Sequence, residues 1–206
     1  QSIWPNFQRY IYRTTNGGET WIVAFHDVAN QQENFKFNFI NSDTGWAFSS
    51  NALIKTIDGG QSWVQLNVPV VSFPKKLTIH STHFIDNNVG WAGGVLIFND
   101  YPYLYQDDVI YKTTDGGANW INQLQSQAVM GVHKISFTNG NIGWATNSEN
   151  FYKTTNSGGN WVKMNYSLHN SDFDFTDQST GWAIYSDIYN SLIFKTSNGG
   201  NNWFQQ

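Results

Sequence analysis

Short runs in which apolar and polar residues alternate recur along the chain: FKFNFI at 35–40, HSTHFI at 80–85, HKISFT at 133–138 and SDFDFT at 171–176. A period of two predicts strands, one face packed and one face polar. Each run ends in a cluster of turn formers (NSDTG, DNNVG, NGNIG, DQSTG), where Asn, Asp and Gly supply the backbone conformations of tight turns. GWA and a short strand follow, then a strand closing on Lys-Thr, a glycine-rich loop, and a last strand beginning at a tryptophan. No segment shows a helical period. Four strands per unit, A to D, in a meander repeated about every forty residues, predict an all-β β-propeller built of four-stranded blades.

The ten tryptophans occupy two positions of this repeat. Five close the loops YRTTNGGETW, IKTIDGGQSW, YKTTDGGANW, YKTTNSGGNW and FKTSNGGNNW, at Trp21, Trp63, Trp120, Trp161 and Trp203. Four lie in GWA, at Trp46, Trp91, Trp144 and Trp182. Trp4 precedes Trp21 by 17 residues, the same interval as Trp46 to Trp63 and Trp144 to Trp161, so it is a fifth member. A residue that recurs with the repeat is first a packing residue.

The loop Thr-x-Asp/Asn-x-Gly-x-x-Trp resembles the Asp-box, or bacterial neuraminidase repeat. It is carried by Thr14, Asn16, Gly18 and Trp21; Thr56, Asp58, Gly60 and Trp63; Thr113, Asp115, Gly117 and Trp120; Thr154, Asn156, Gly158 and Trp161; and Thr196, Asn198, Gly200 and Trp203. Together with GWA, the pattern is similar to photosystem II stability/assembly-factor-like propellers and secreted bacterial repeat proteins. Related loops occur in sialidases, sortilin-type receptors and xyloglucan-hydrolysing propellers. The resemblance implies a loop between strands C and D, on the face opposite the usual active site, with a structural role. The residues agree: Asp or Asn accepts hydrogen bonds from loop amides, glycine tolerates positive φ, and the tryptophan covers the loop. Three of the five copies carry neutral Asn, which speaks against calcium.

The repeats fall at about 1–25, 35–66, 79–124, 132–165 and 171–206, in one domain spanning 1–206. The first begins inside strand B, so a five-bladed count leaves its innermost strand missing. Three explanations are open: a fragment of a longer propeller, a ring with a three-stranded blade, or a strand donated by another chain.

Composition narrows the function classes. Of 11 basic residues, Arg13, Lys55, Lys112, Lys153 and Lys195 share one repeat position, and net charge is -4. No basic stripe remains for a phosphate backbone, so no nucleic-acid partner is expected. The chain has no cysteine, which excludes disulfides and thiolate metal sites. No apolar run reaches the ~18 residues of a membrane span. Few charges with many Asn, Thr, Ser and Gly suggest a secreted or cell-surface protein.

Two regions are candidates for binding. The interval from the B-strand tryptophan to the loop tryptophan is 29 residues in blade three and 21 in blade five. The additions lie between strands B and C, and the long 68–77 connection is expected to emerge on the same face. Residues 98–108 read as a loop presenting Tyr101, Tyr103, Tyr105, Asp107 and Asp108, which suit stacking on and hydrogen bonding to a sugar or peptide. The alternative is that the tyrosines cover the loop's own base. The polar positions of the A strands include His83, Asp172 and Asp174 beside Lys36, Asn38, Lys134 and Ser136, and are expected to line the central channel, while Phe37, Phe39, Phe84, Ile135, Phe137, Phe173 and Phe175 pack between blades. His26, His80, His133 and His169 follow the blade period without ligand spacing, and neither a metal nor a cofactor is expected.

Sialidase chemistry needs an arginine cluster, and the chain has Arg9 and Arg13 alone. No GxSxG or GxxxxGK[ST] is present. The residues therefore point to a non-catalytic binding or assembly scaffold with a protein or glycan partner. A glycan-active hydrolase is the runner-up, and a polymer formed by strand donation the third reading.

Overall fold

A computed structural model describes residues 7–29, 33–50, 52–69, 75–100, 103–127, 131–165, 172–186 and 191–206. Trp4, Tyr101 and His169 lie outside these residues. All regular structure among them is β. The first sheet pairs β1 (Phe7–Arg13) with β2 (Ile22–Ala29). The second runs β3 (Lys36–Phe39), β4 (Gly45–Ser49), β5 (Ala52–Thr56), β6 (Val64–Leu66). The third runs β7 (Lys75–Phe84), β8 (Gly90–Asp100), β9 (Tyr103–Thr113), β10 (Ile121–Gln127). The fourth runs β11 (Lys134–Phe137), β12 (Gly143–Thr146), β13 (Phe151–Thr154), β14 (Val162–Lys163). The fifth runs β15 (Asp172–Phe175), β16 (Gly181–Ser186), β17 (Ser191–Thr196), β18 (Phe204–Gln205). All pairs are antiparallel and sequential, which is the meander of a propeller blade. The described part of the first blade holds no inner strand.

The chain divides into two compact units, Gln1–Val68 and Pro69–Gln206. In the second, the core includes two seams between successive blades and a cluster of Leu96, Phe98, Val109 and Tyr111 within the third. Trp144 and Phe151 of the fourth blade pack with Phe173, Phe175, Ala183 and Trp203 of the fifth. Trp91 and Ile110 of the third pack with Ile135, Phe137, Ala145, Tyr152 and Trp161 of the fourth. The GWA tryptophan stacks on the A-strand phenylalanine of the next blade: Trp91 on Phe137 and Trp144 on Phe175, each with centroids 3.6 Å apart. Burying such a ring is worth on the order of 5 kcal/mol relative to exposure. The glycine of GWA is there to admit that phenylalanine. A Cβ at Gly143 or Gly181 would fall inside the ring of Phe137 or Phe175 of its own sheet.

The lysine before each loop lies over the tryptophan paired with it, Lys153 over Trp144 at 5.3 Å and Lys195 over Trp182 at 5.1 Å. Across the seam, Trp144 Nε1 and Lys153 Nζ both donate to Gly199 O at 3.0 Å. The repeated cation is thus a latch between blades.

The first unit has its own core of Ile11, Ala47 and Ile54, with Phe25, Phe35 and Trp63 against it. Arg13 Nε donates to Gly59 O at 2.8 Å, the counterpart of the lysine latch. Arg9 is buried, bidentate to Asp27 and bonded to Ser49 Oγ. Both arginines are structural. Phe37 and Phe39 are exposed and pack on Trp63 of their own sheet, and Trp4, the counterpart of Trp91 and Trp144 in the preceding repeat, lies outside the described residues.

The five loops share one geometry. In the fourth blade, Thr154 Oγ1 donates to Asn156 Oδ1 (3.0 Å) and accepts from Gly158 N (2.9 Å), while Asn156 Oδ1 accepts from Asn160 N (2.8 Å). Asn16, Asp58, Asp115 and Asn198 repeat it. The first of the two loop residues that follow adopts positive φ, and there Ser157 (φ 64°) stands where the other copies have glycine. Its hydroxyl donates to Gly140 O, a bond glycine cannot make.

Candidate functional site

The inner strands of the second unit, β7, β11 and β15, place one polar side chain each at a common register position. His83, Ser136 and Asp174 stand opposite Trp91, Trp144 and Trp182. The alternation puts the phenylalanines into the seams and these residues on the other face of each strand. Ser136 Oγ donates to Asp174 Oδ1 at 3.1 Å, and Ile135 N donates to Ser81 Oγ at 3.1 Å, so the three inner strands are neighbours. Two residues upstream, Lys134 Nζ and Asp172 Oδ1 form an ion pair at 2.9 Å, both ends solvated.

His83 is half-buried, 6.1 Å from the Phe137 ring. Burial lowers its pKa below the ordinary 6.5, and the Asp174 charge opposes that shift. At neutral pH it is an uncharged imidazole with one donor and one acceptor nitrogen. The row therefore presents a half-buried imidazole, two carboxylates and an ammonium, while the Ser136 hydroxyl is buried and engaged with Asp174. Asp172 and Asp174 share one strand and cannot flank a bond from opposite sides as glycosidase carboxylates do. Asp86 sits in the β7–β8 turn, where its Oδ1 accepts from Asn88 N and Val89 N at 2.7 Å. Asn139 and Asp177 cap the equivalent turns the same way.

The second candidate region takes a different form from the expected loop. Residues 98–108 extend strands: β8 and β9 are 11 residues each and pair from Gly90↔Thr113 to Asp100↔Tyr103. The arm is a hairpin extension of the sheet, and β7 begins at Lys75 to pair along it through Lys75↔Phe98. The reason is a continuous β-branched and apolar run, Val95-Leu96-Ile97-Phe98, facing Tyr105 to Asp108, which Asn99, Asp100 and Pro102 disguise as loop composition. Tyr105 is partly exposed and stacks on Phe98 at 4.2 Å, with Lys75 Nζ over that ring at 5.0 Å. The two rings lie near the outer end of the arm. Tyr103 lies on the arm, and Tyr101 is outside the described residues.

Asp107 and Asp108 point to opposite faces of the arm. Asp107 accepts from Gln125 Nε2 at 2.6 Å. Asp108 is fully buried in the seam between the third and fourth blades, where Asn147 Nδ2 and Tyr152 Oη donate to Oδ2, the latter at 3.5 Å. Burial pushes its pKa up to about 6 and that of Tyr152 up to about 12. This buried carboxylate was not readable from sequence, since neither Asp108 nor Asn147 belongs to the repeat. Close by in the chain, the β7 bulge between Ile79 and Ser81 leaves His80 out of register and stacked on His133, rings 5.4 Å apart and 5° from parallel. Among the described residues, no group of three or more His, Cys, Asp or Glu is placed to hold a metal ion. Among them, no helix is long and apolar enough to cross a membrane.

The chain is similar in structure to an ancestral GH74 enzyme, with TM-score 0.66 and 21% identity, over 95% of this chain and 28% of that one. It is also similar to the GH74 xyloglucanase of Xanthomonas campestris, with TM-score 0.52 and 10% identity, over 80% of this chain and 29% of that one. YCF48 from Cyanidioschyzon merolae aligns with TM-score 0.49 and 13% identity, over 96% of this chain and 78% of that one. No protein-family model and no curated protein matches the sequence. At these identities the GH74 likeness shows the fold, a β-propeller. The chain spans less than a third of the length of either GH74 enzyme.

Proposed function

We propose that this chain is a non-catalytic binding scaffold of a secreted or cell-surface protein, its five repeats serving as one propeller domain. Its inner-strand row, His83, Ser136 and Asp174 with Lys134 and Asp172, takes a protein segment or a glycan. The observation that carries this reading is the convergence of those side chains at matched positions of three neighbouring strands. These polar residues differ from blade to blade, whereas the packing residues repeat. The arm, with Tyr105 and Asp107, gives a second contact area, and Asp108 acts from beneath by fixing the seam; Tyr101 and Tyr103 are proposed members of that area from the sequence alone. We read the five loops as Asp-boxes with Asn16, Asp58, Asp115, Asn156 and Asn198 in a structural role.

A glycan-active enzyme, or part of one, is the second reading, favoured by the GH74 likeness over nearly the whole chain. Glycan-array and peptide-library screening of the chain beside Asp174→Asn and His83→Ala separates the two. A scaffold gives a ligand whose binding falls at least tenfold in the variants, without product from any glycan. Release of reducing sugar from xyloglucan or another β-glucan, lost in Asp172→Asn or Asp174→Asn, would favour the enzyme. Binding that neither variant alters would remove the row from consideration.

A further inference from the structure

The four described turns between A and B strands share one cap. Each opens on Asn or Asp, whose Oδ1 accepts from the backbone amides two and three residues ahead. Asn41 takes Asp43 N and Thr44 N, Asp86 takes Asn88 N and Val89 N, Asn139 takes Asn141 N and Ile142 N, and Asp177 takes Ser179 N and Thr180 N, all at 2.7–2.9 Å. The residue after the cap is Ser42, Asn87, Gly140 or Gln178. Among these turns, the one between β11 and β12 alone joins a carboxamide cap to a glycine.

That pairing is reactive. The backbone nitrogen that follows an asparagine can attack its Cγ, and a glycine there has no Cβ to obstruct the approach. Asn139 is exposed and Gly140 half-buried. Gly140 N and Asn139 Nδ2 donate to none of the described residues, so the nucleophile and the leaving group are both unengaged. The two amides on Asn139 Oδ1 point where negative charge develops as Cγ becomes tetrahedral, which is the arrangement of an oxyanion hole. The other two Asn-Gly pairs of the chain are restrained. Gly199 N, the nucleophile beside Asn198, donates to Ser179 O at 2.7 Å. The Asn16 carboxamide is held at both ends: its Oδ1 accepts from Thr14 Oγ1 and Thr20 N, and its Nδ2 donates to Thr20 Oγ1 at 3.0 Å.

We propose that Asn139 is a self-modification site, where the chain converts its own asparagine to aspartate and isoaspartate. Gly140 N gives up its proton to hydroxide and bonds to Asn139 Cγ. The Cγ–Nδ2 bond breaks, ammonia leaves, and a five-membered succinimide closes. Water then adds to one of the two ring carbonyls. Cleavage of the new Cγ–N bond yields aspartate, and cleavage of the original peptide C–N bond yields isoaspartate, with the main chain routed through Cγ. Aspartate fits the turn as it stands, since Asp86 and Asp177 hold the same two amides. Isoaspartate adds one atom to the main chain beside Gly140 O and Asn141 O, the acceptors of Ser157 Oγ and Ser157 N. Those bonds tie the 154–161 loop to the turn, so isoaspartate loosens that loop. This inference does not rest on the ligand-binding reading of the inner row.

The full chain held at mildly alkaline pH tests it, with the peptides containing Asn139, Asn198, Asn16 and Asn41 followed by mass spectrometry and the aspartate and isoaspartate forms separated chromatographically. Asn139 should convert at least tenfold faster than the other three, at a rate that rises with hydroxide. In the urea-unfolded chain the three Asn-Gly pairs should react at similar rates, because the fold then no longer separates them. Gly140→Ala should slow the reaction at least tenfold with an unchanged melting temperature, since the added methyl meets Ile85 Cδ1 at an ordinary 3.4 Å. Asn139→Asp should melt like the parent. No conversion at Asn139, conversion at Asn198 or Asn16 as fast as at Asn139 in the folded chain, or a Gly140→Ala variant that reacts like the parent overturns the proposal.

Discussion

Thr154 and Asp108 are both buried polar residues on the third strand of a blade, yet they are held in opposite ways. Thr154 is satisfied by Asn156 and Gly158, two and four residues ahead, and its solution recurs in every blade. Asp108 reaches 39 and 44 residues ahead, to Asn147 and Tyr152 of the next blade, and occurs once. The first arrangement serves whichever blade it is placed in. The second fixes one particular pair of blades. Recurring residues therefore build the blade, and those that break the repeat mark where this chain differs from a generic stack.

Variants at the two kinds of position should separate accordingly. Trp144→Ala removes a fully buried ring from a seam and should cost about 3–5 kcal/mol, measured by denaturant unfolding. Asp108→Asn should instead stabilise. The folded pKa of about 6 lies above the ordinary 3.8, so native stability falls as pH rises from about 4 to about 6 and stays low above that. The rise corresponds to on the order of 3 kcal/mol, to be gained by the variant at pH 7.5 and absent at pH 4. A variant that is weaker at both pH values would mean that the carboxylate's bonds to Asn147 and Tyr152 outweigh its burial.

Thr154→Val leaves a loop amide and Asn156 without the hydroxyl, for an expected loss of roughly 2 kcal/mol with little change in its neighbours. Smaller still is the acid response of the two loops that carry Asp. Hydrogen bonds from Ser62 and Asn119 lower Asp58 and Asp115 to about 2. Their contribution is present above about 4 and lost as pH falls towards 2. Urea titrations between pH 2 and 5 should show a shallower loss for the Asp58→Asn, Asp115→Asn double variant than for the parent. Asp174→Asn should leave unfolding unchanged and act on ligand binding alone.

The legible part of the molecule follows the same division. GWA, the Thr-Asp/Asn loops and the Asx turns could be read because five or four copies in register outvote local ambiguity. The seams followed from them, since a repeated tryptophan must be buried somewhere. The arm was hidden by its composition: Asn99, Asp100 and Pro102 look like a loop, and nothing in the repeat predicts that β7 lengthens to match. The bulge at His80 is not legible, because a bulge leaves no mark in the hydrophobic pattern. The pattern likewise specifies a face for Phe37 and Phe39, which are exposed, but not what covers it.

The arm has a consequence for how the chain acquires its structure. Its eleven rungs, from Gly90↔Thr113 outward to Asp100↔Tyr103, close over two residues, whereas the seams join residues some fifty positions apart. Short closures cost little chain entropy and long ones cost more. The 90–113 segment is therefore the expected starting point of folding, with β7 and β10 adding to its two edges and the fourth blade docking afterwards against Asp108. Pulse-labelled amide exchange should find Val95–Phe98 protected before Ile135–Phe137, and the reverse order would place the nucleus in a seam instead.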